Sequence, residues 1–190
     1  MTTWVDALEP GASDIVAAWR GIESGHVIEV RREVRKRAGN GAAARIVPQL
    51  ASLADALTAV VERLSEDDLR HDGGEGDWIV AQAVGHDCDA RAGLCLAAAK
   101  AAAGQWPAEA PRVVPGVPGP AEADRATLLR RIAQSQRIVE RSARTVAGHE
   151  TEPCPLDHPL VGKLSCGEWL VFAGVHDLMH LEQLHAIMRA

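Results

Sequence analysis

The sequence predicts an all-α fold: a four-helix bundle with an additional N-terminal helical segment. Three observations carry this. Alanine, the residue of best helix propensity, is heavily used. Val, Ile and Thr nowhere form an alternating run of strand length. Apolar residues instead recur at helical spacing in five segments, separated by glycine- and proline-rich punctuation. With 190 residues, 47% of them apolar, the chain can bury a sizeable core.

The first segment runs from Asp14 to Arg37, with Ile15, Ala18, Trp19 and Ile22 at helical spacing. Gly21 and Gly25 weaken it, and Gly39-Asn40-Gly41 ends it. Residues 1–42 are thus predicted to be a helical extension ahead of a bundle at 43–190. The second helix is expected from Ala44 to Leu64, where Val47, Leu50, Leu53, Leu57, Val60 and Val61 form one wide stripe. Pro48 is expected in its first turn, where a missing N–H is harmless. A single turn at Ser65-Glu66-Asp67-Asp68-Leu69 and a glycine loop, Asp72-Gly73-Gly74-Glu75-Gly76, follow.

Asp77 is placed to cap a third helix, Trp78 to Ala103, which stops at Gly104. The stretch from Gln105 to Pro120 carries five prolines and reads as a long connection. A fourth helix is expected from Pro120 to Ala147, closed by Gly148, then a loop with Pro153, Pro155 and Pro159. The last helix has the clearest start. Ser165 and Glu168 stand at capping-box spacing, and Leu164 and Trp169 at hydrophobic-staple positions. It should run from Cys166 to about Met188.

Charge and cysteine usage narrow the function classes. The net charge is −6, and the basic cluster Arg31, Arg32, Arg35, Lys36 and Arg37 is interrupted by Glu29 and Glu33. It reads as a solvated helix face, so no nucleic-acid partner is expected. No run approaches 18 consecutive apolar residues, and Met1 to Asp6 lacks a basic, then apolar, leader. No membrane partner and a cytoplasmic location are expected. Cys88 and Cys95 lie seven residues apart on one helix, about 10 Å of rise, too far for a bridge. Cys154 and Cys166 form no CxxC pattern, so reduced thiols are expected.

The chemistry centres on histidines. His176 and His180 are i and i+4 on the last helix, so they share a face with Trp169, Phe172, Ala173 and Leu184. Two neutral imidazoles one turn apart can chelate a divalent ion at about 2.0–2.1 Å. His86 lies mid-helix on the side of Ile79, Gln82 and Ala83 and also points inward. Asp177 stands where HExxH needs glutamate, which excludes a metalloprotease of that type. From the residues alone, a metal site and a set of hydrogen-bonded core histidines both remain open.

Two stretches decide between them by resemblance. One is Leu64-Ser65-Glu66-Asp67-Asp68-Leu69 through Trp78 and His86. The other is Asp157-His158-Pro159 through Glu168-Trp169-Leu170 and His176-Asp177-Leu178-Met179-His180-Leu181-Glu182-Gln183. Together, from about Ala44 onward, they resemble the DinB-like (DinB/YfiT) family of metal-binding four-helix bundles, which includes hydrolases and thiol-dependent S-transferases. The resemblance implies metal ligation by His86, His176 and His180, and an unusual bundle connectivity with long crossovers. Asp89, Gln183, Glu182 and His158 are candidates to orient an imidazole or a bound water; a loop-surface role is the other reading of His158. Cys88, beside His86, reads as a buried inert thiol. His26, His71, His149 and His185 read as surface residues.

Three histidines leave an open coordination position, suited to Zn, Ni or Fe. A small-molecule substrate is expected. The leading expectation is a metal-dependent, thiol-dependent S-transferase or isomerase; a metal-dependent hydrolase and a non-catalytic stress-response metal protein are the alternatives. Lys36, Lys100 and Lys163 are the lysines among 20 basic residues, so 17 are arginine. That bias suits high-GC genomes, and a low-molecular-weight thiol such as mycothiol is the associated cofactor expectation. Finally, Leu170, Val171, Val175, Leu178 and Leu181 make the last helix apolar nearly all round. Either the N-terminal segment, with Trp4, Trp19 and Ile22, or a second subunit must cover it. The resemblance favours a homodimer.

Overall fold

The computed structural model describes residues 3–22, 27–159 and 161–189. Four long helices form the bundle: α3 (Ala42–Arg63), α4 (Val80–Ala102), α5 (Arg125–Val146) and α6 (Cys166–Ile187). Two shorter ones, α1 (Ser13–Arg20) and α2 (Val27–Arg37), precede them. α3 and α4 each pack against both α5 and α6. Helices adjacent in sequence, α3 and α4 or α5 and α6, therefore stand diagonally across the bundle, and their connections must cross it. This is the long-crossover connectivity that the resemblance implies.

Those crossovers hold the strands, which the sequence did not signal. β1 (Asp72–Glu75) and β2 (Trp78–Ile79) form one antiparallel hairpin, β3 (Pro153–His158) and β4 (Gly162–Ser165) another. Prolines are tolerated in β3 because it is a short strand of a two-stranded sheet, where a missing donor need not break a central ladder. Its inward residues Cys154 and Leu156 are buried. The Gln105–Pro120 connection is pinned to β3 and to α4, and Asp157 N–H donates to the Arg112 carbonyl at 2.7 Å. Val114 N–H donates to the Asp157 carbonyl at 2.9 Å, and Gly119 N–H donates to the Gln82 carbonyl at 3.0 Å.

Several boundaries differ from expectation for local reasons. The expected helix from Asp14 to Arg37 divides, because α1 ends at Gly21 and α2 folds back on it. The Glu33 side chain fills the space beside Gly21: a Cβ there would meet Glu33 Cγ at 2.5 Å. His26 lies outside the described residues. Asp77 does not cap α4. The chain stays extended through Ile79, whose N–H is taken by the Gln82 amide oxygen at 3.2 Å. α5 begins at Arg125 rather than Pro120, capped by Asp124, which accepts from Thr127 N–H at 2.7 Å. α3 begins at Ala42, so Pro48 sits beyond its first turn; the carbonyl it fails to serve belongs to exposed Ala44. The capping box on α6 stands as expected, with Ser165 accepting from Glu168 N–H at 3.3 Å and Glu168 accepting from Ser165 N–H at 2.7 Å. All four cysteines are free and buried. Burial pushes the Cys88 thiol up beyond its ordinary range and the Cys95 and Cys166 thiols to about 12.

Among the described residues one helix, α3, is long and apolar enough to cross a membrane by length and composition. Its apolar face, including Ile46, Leu50, Leu53 and Leu57, is buried in the bundle.

Leu170, Val171, Val175, Leu178 and Leu181 of α6 are all buried within the single chain. α1 and α2 supply the cover on the side away from the bundle. The approach is close: a Cβ on Gly174 would stand 2.5 Å from Ile15 Cδ1, so only glycine lets α1 lie there. Ile15 is fully buried. Ile15→Ala is expected to lower unfolding stability by about 2–4 kcal/mol in denaturant titration. A change within about 0.5 kcal/mol would show that the N-terminal helices are a dispensable appendage.

Candidate metal centre

His86 projects from α4, and His176 and His180 from α6, into the gap where those helices face each other. The ring centroids are 5.3 Å (His86–His176), 5.2 Å (His86–His180) and 4.6 Å (His176–His180) apart. One nitrogen from each ring lies within 4.8 Å of the others, a group that could hold a metal ion. His86 and His180 are buried, and Trp78 packs on His86 at 4.8 Å between centroids.

Each Nδ1 has its own acceptor, from a different part of the chain. His86 Nδ1–H donates to the Val117 carbonyl at 2.7 Å. His176 Nδ1–H donates to the Asp87 carboxylate at 3.3 Å. His180 Nδ1–H donates to the Gln183 amide oxygen at 2.9 Å. The Gln183 amide is itself oriented, because its nitrogen donates to the Gly73 carbonyl in β1. With three Nδ1 protons so engaged, each ring is held in the tautomer that leaves an Nε2 lone pair free. The donor set, three imidazole nitrogens converging from two helices, fits a divalent ion at about 2.0–2.1 Å per bond after a small contraction.

The Val117 contact depends on a backbone crossing. The connection passes over α4 at Gly85, where a Cβ on Gly119 would stand 2.5 Å from Gly85 Cα and 2.6 Å from His86 N. Two glycines allow this approach, and it brings the Val117 carbonyl onto the imidazole.

Behind His176 lies a buried polar network. Asp87, Asp177 and Arg91 are all buried. Arg91 Nε lies 3.1 Å from Asp177 Oδ2, and Nη2 donates to the Leu50 carbonyl at 2.9 Å and to Gln136 at 3.2 Å. Burial drives the Asp177 carboxyl well above its ordinary value; Arg91 opposes this and Asp87 adds to it. Burial also works against the charge on Asp87, but the His176 hydrogen bond and the charges of His180, His176 and Arg91 outweigh it and hold its carboxyl low. Asp87, His176 and Asp177 also cluster within 4.8 Å. The Arg91 guanidinium already supplies positive charge there, which disfavours a cation and leaves the three histidines as the better site.

Asp87, not Asp89, is the carboxylate that orients an imidazole. Asp89 faces outward and pairs with Arg131 at 2.6 Å. A signal for Asp87 was present in the sequence: Asp87 and Arg91 are an i, i+4 pair of opposite charge on α4. Of the other two candidates on α6, Gln183 accepts from His180 Nδ1–H, while Glu182 is exposed. His158, at the end of β3, is half-buried and its ring centroid lies 4.9 Å from that of Phe172. It lines the cavity of about 650 Å³ that also holds the three histidines, together with Trp19, Ile22 and Phe172. His71 and His149 are exposed, as expected, and His149 pairs with Glu152 at 2.7 Å. His185 is half-buried instead, stacked on Trp4 at 5.0 Å between centroids, because the N-terminal turn folds over the end of α6.

A family model for the DinB superfamily matches residues 24–184. The chain belongs to the DinB superfamily. The DinB match reaches back past Ala44 to include α2, so only α1 and the residues around it precede it. No curated protein and no solved structure matches the chain.

Two measurements test this site. Asp87→Asn is expected to weaken metal affinity about 10–100-fold in chelator competition, since the amide cannot offer the charge that fixes the His176 tautomer. Unchanged affinity would remove Asp87 from the site. The second is pH dependence. Burial, then the charge of His176, pushes the base of His158 down from 6.5 to about 4, and burial lowers that of His180 as well. Between pH 6.5 and 4 the unfolded chain therefore binds more protons than the folded one, so stability is lost as pH falls through that window. Glu33, held down from 4.5 to about 2 by Lys36 and Arg37, loses its contribution at lower pH. In chelator-treated protein the urea midpoint is expected to fall from pH 7 to pH 5, and His158→Gln should flatten that fall. An equal fall in the variant would refute the assignment to His158.

Proposed function

We propose that this DinB-superfamily chain is a metal-dependent enzyme in which His86, His176 and His180 hold one divalent ion, Zn, Ni or Fe. It acts on a small-molecule substrate as a thiol-dependent S-transferase or isomerase, using a low-molecular-weight thiol. The observation that carries this reading is the set of three engaged Nδ1 groups, which leaves the Nε2 lone pairs free on three rings whose ligand atoms cluster within 4.8 Å on the wall of a cavity. A closed structural site would use a fourth protein ligand, whereas here the remaining side faces the cavity.

A divalent ion bound there supplies Lewis acidity, lowering the pKa of a thiol or water admitted to its open position. The protein's own residues do the rest. Val117, Asp87 and Gln183 hold the imidazoles in one tautomer and orientation. Phe172, Trp19 and Ile22 form an apolar wall that limits water around the reacting groups. His158 stays neutral down to about pH 4 and adds no charge to the chamber. A second cavity of about 300 Å³ adjoins the first at His86. Two organic ligands meeting at one centre suit a thiol transfer better than a hydrolysis, which needs one substrate and water.

Elemental analysis of the purified protein should find roughly one divalent ion per chain. His176→Ala should lose it while keeping most helicity by circular dichroism; unchanged metal content would overturn the ligand assignment. Assays with a panel of cellular thiols should show turnover only when a thiol is added. Turnover of esters or amides without thiol would replace the transferase reading with the hydrolase one.

A further inference from the structure

We infer that the groove behind His86, between α4 and the Gln105–Pro120 connection, is a subsite for an apolar chain or ring that ends in a carboxylate. The inference deepens the functional proposal and rests on it only for the reacting end of the ligand.

The groove follows one stripe of α4. His86, Ala90, Gly93, Ala97 and Lys100 recur at intervals of three and four residues, so they share a face over about 21 Å of helix. The middle of the stripe is made of small residues. A Cβ on Gly93 would meet nothing within 4 Å, so the space above it is open. The opposite wall is the connection, which is held to α4 at Gly119 and to β3 at Arg112 and Val114, with Trp106, Ala110 and Pro111 also lining the groove. The enclosed volume is about 300 Å³. Leu96 and Val117, both in the lining, are 43% and 57% exposed, apolar surface that the chain itself leaves uncovered.

The two ends differ in chemistry. One end opens on the three histidines, because His86, Ala90, Leu94 and Val114 line both cavities. The other end carries two polar groups without partners. Trp106 Nε1 is buried and has no acceptor among the described residues. Lys100 makes no ion pair among the described residues, whereas Asp89 in the same lining is committed to Arg131. A donor and an ammonium group beyond an apolar floor are complementary to a carboxylate on an apolar body. The ligand would lie along α4 with its anionic end at Lys100 and its other end at the centre.

Octanoate is a suitable probe, with octan-1-ol as its uncharged counterpart, titrated calorimetrically into the full chain. Octanoate should bind the wild type and His176→Ala alike, since the groove does not need the metal. Gly93→Leu fills the groove without a clash and favours the helix, and it should weaken octanoate at least roughly tenfold. Lys100→Gln should weaken octanoate several-fold and leave octan-1-ol unchanged. Failure of octanoate to bind the wild type, or equal binding by Gly93→Leu, would overturn the inference. Equal octanoate binding by Lys100→Gln would overturn the anionic end. Loss in His176→Ala with retention in Gly93→Leu would put the carboxylate on the metal, sinking this inference while leaving the histidine centre intact.

Discussion

A guanidinium at the middle of an apolar bundle must find acceptors for its protons and a counter-charge, because an isolated buried charge costs several kcal/mol. Arg91 answers most of that demand by reaching from α4 to every other long helix: it donates to the Leu50 carbonyl on α3 and to Ser135 and Gln136 on α5, and its Nε stands 3.1 Å from the Asp177 carboxyl on α6. These contacts tie the four helices to one relative register, since sliding any of them would strand a buried donor or acceptor. The same network continues through Asp87 to His176. The packing of the bundle and the orientation of a metal-ligand candidate are thus one arrangement.

The irregular segments complete what the helices begin. A helix can aim an imidazole inward but cannot choose its tautomer. That choice comes from the α4–α5 connection at Val117, from the neighbouring helix at Asp87, and from the β1 hairpin through Gln183. Three partners from three directions hold the rings with the same nitrogen free, so little reorganisation remains when an ion arrives. The diagonal crossover before α4 supplies the β1 hairpin, and the α4–α5 connection, folded back over α4, supplies Val117, so loop backbone reaches the bundle centre from two sides.

The N-terminal helices extend the same logic to the wall of the cavity. α1 lies ahead of the part that matches the DinB superfamily, yet it seals the outer face of α6 through Ile15 and lends Trp19 to the cavity wall. A segment outside the shared pattern therefore shapes the chamber in which the proposed reaction takes place. The surface that would otherwise call for a second subunit is covered by the chain itself.

The sequence by itself determined the four long helices, the capping box at Ser165 and Glu168, and the three histidines, because each is a matter of spacing along one helix. Local periodicity states which residues share a face. Only the tertiary structure decided which face meets which. Asp89 was the natural candidate because it lies one turn from His86 on the same face. Asp87 serves instead, because it faces α6 and the imidazole it orients belongs to that helix. The hairpins at Asp72–Ile79 and Pro153–Ser165 were hidden for a related reason. Their glycines and prolines carry no strand preference, and their backbone groups become paired only where the crossover folds back on itself. Contacts between segments far apart in sequence depend on how the helices cross, and no i, i+4 pattern records that.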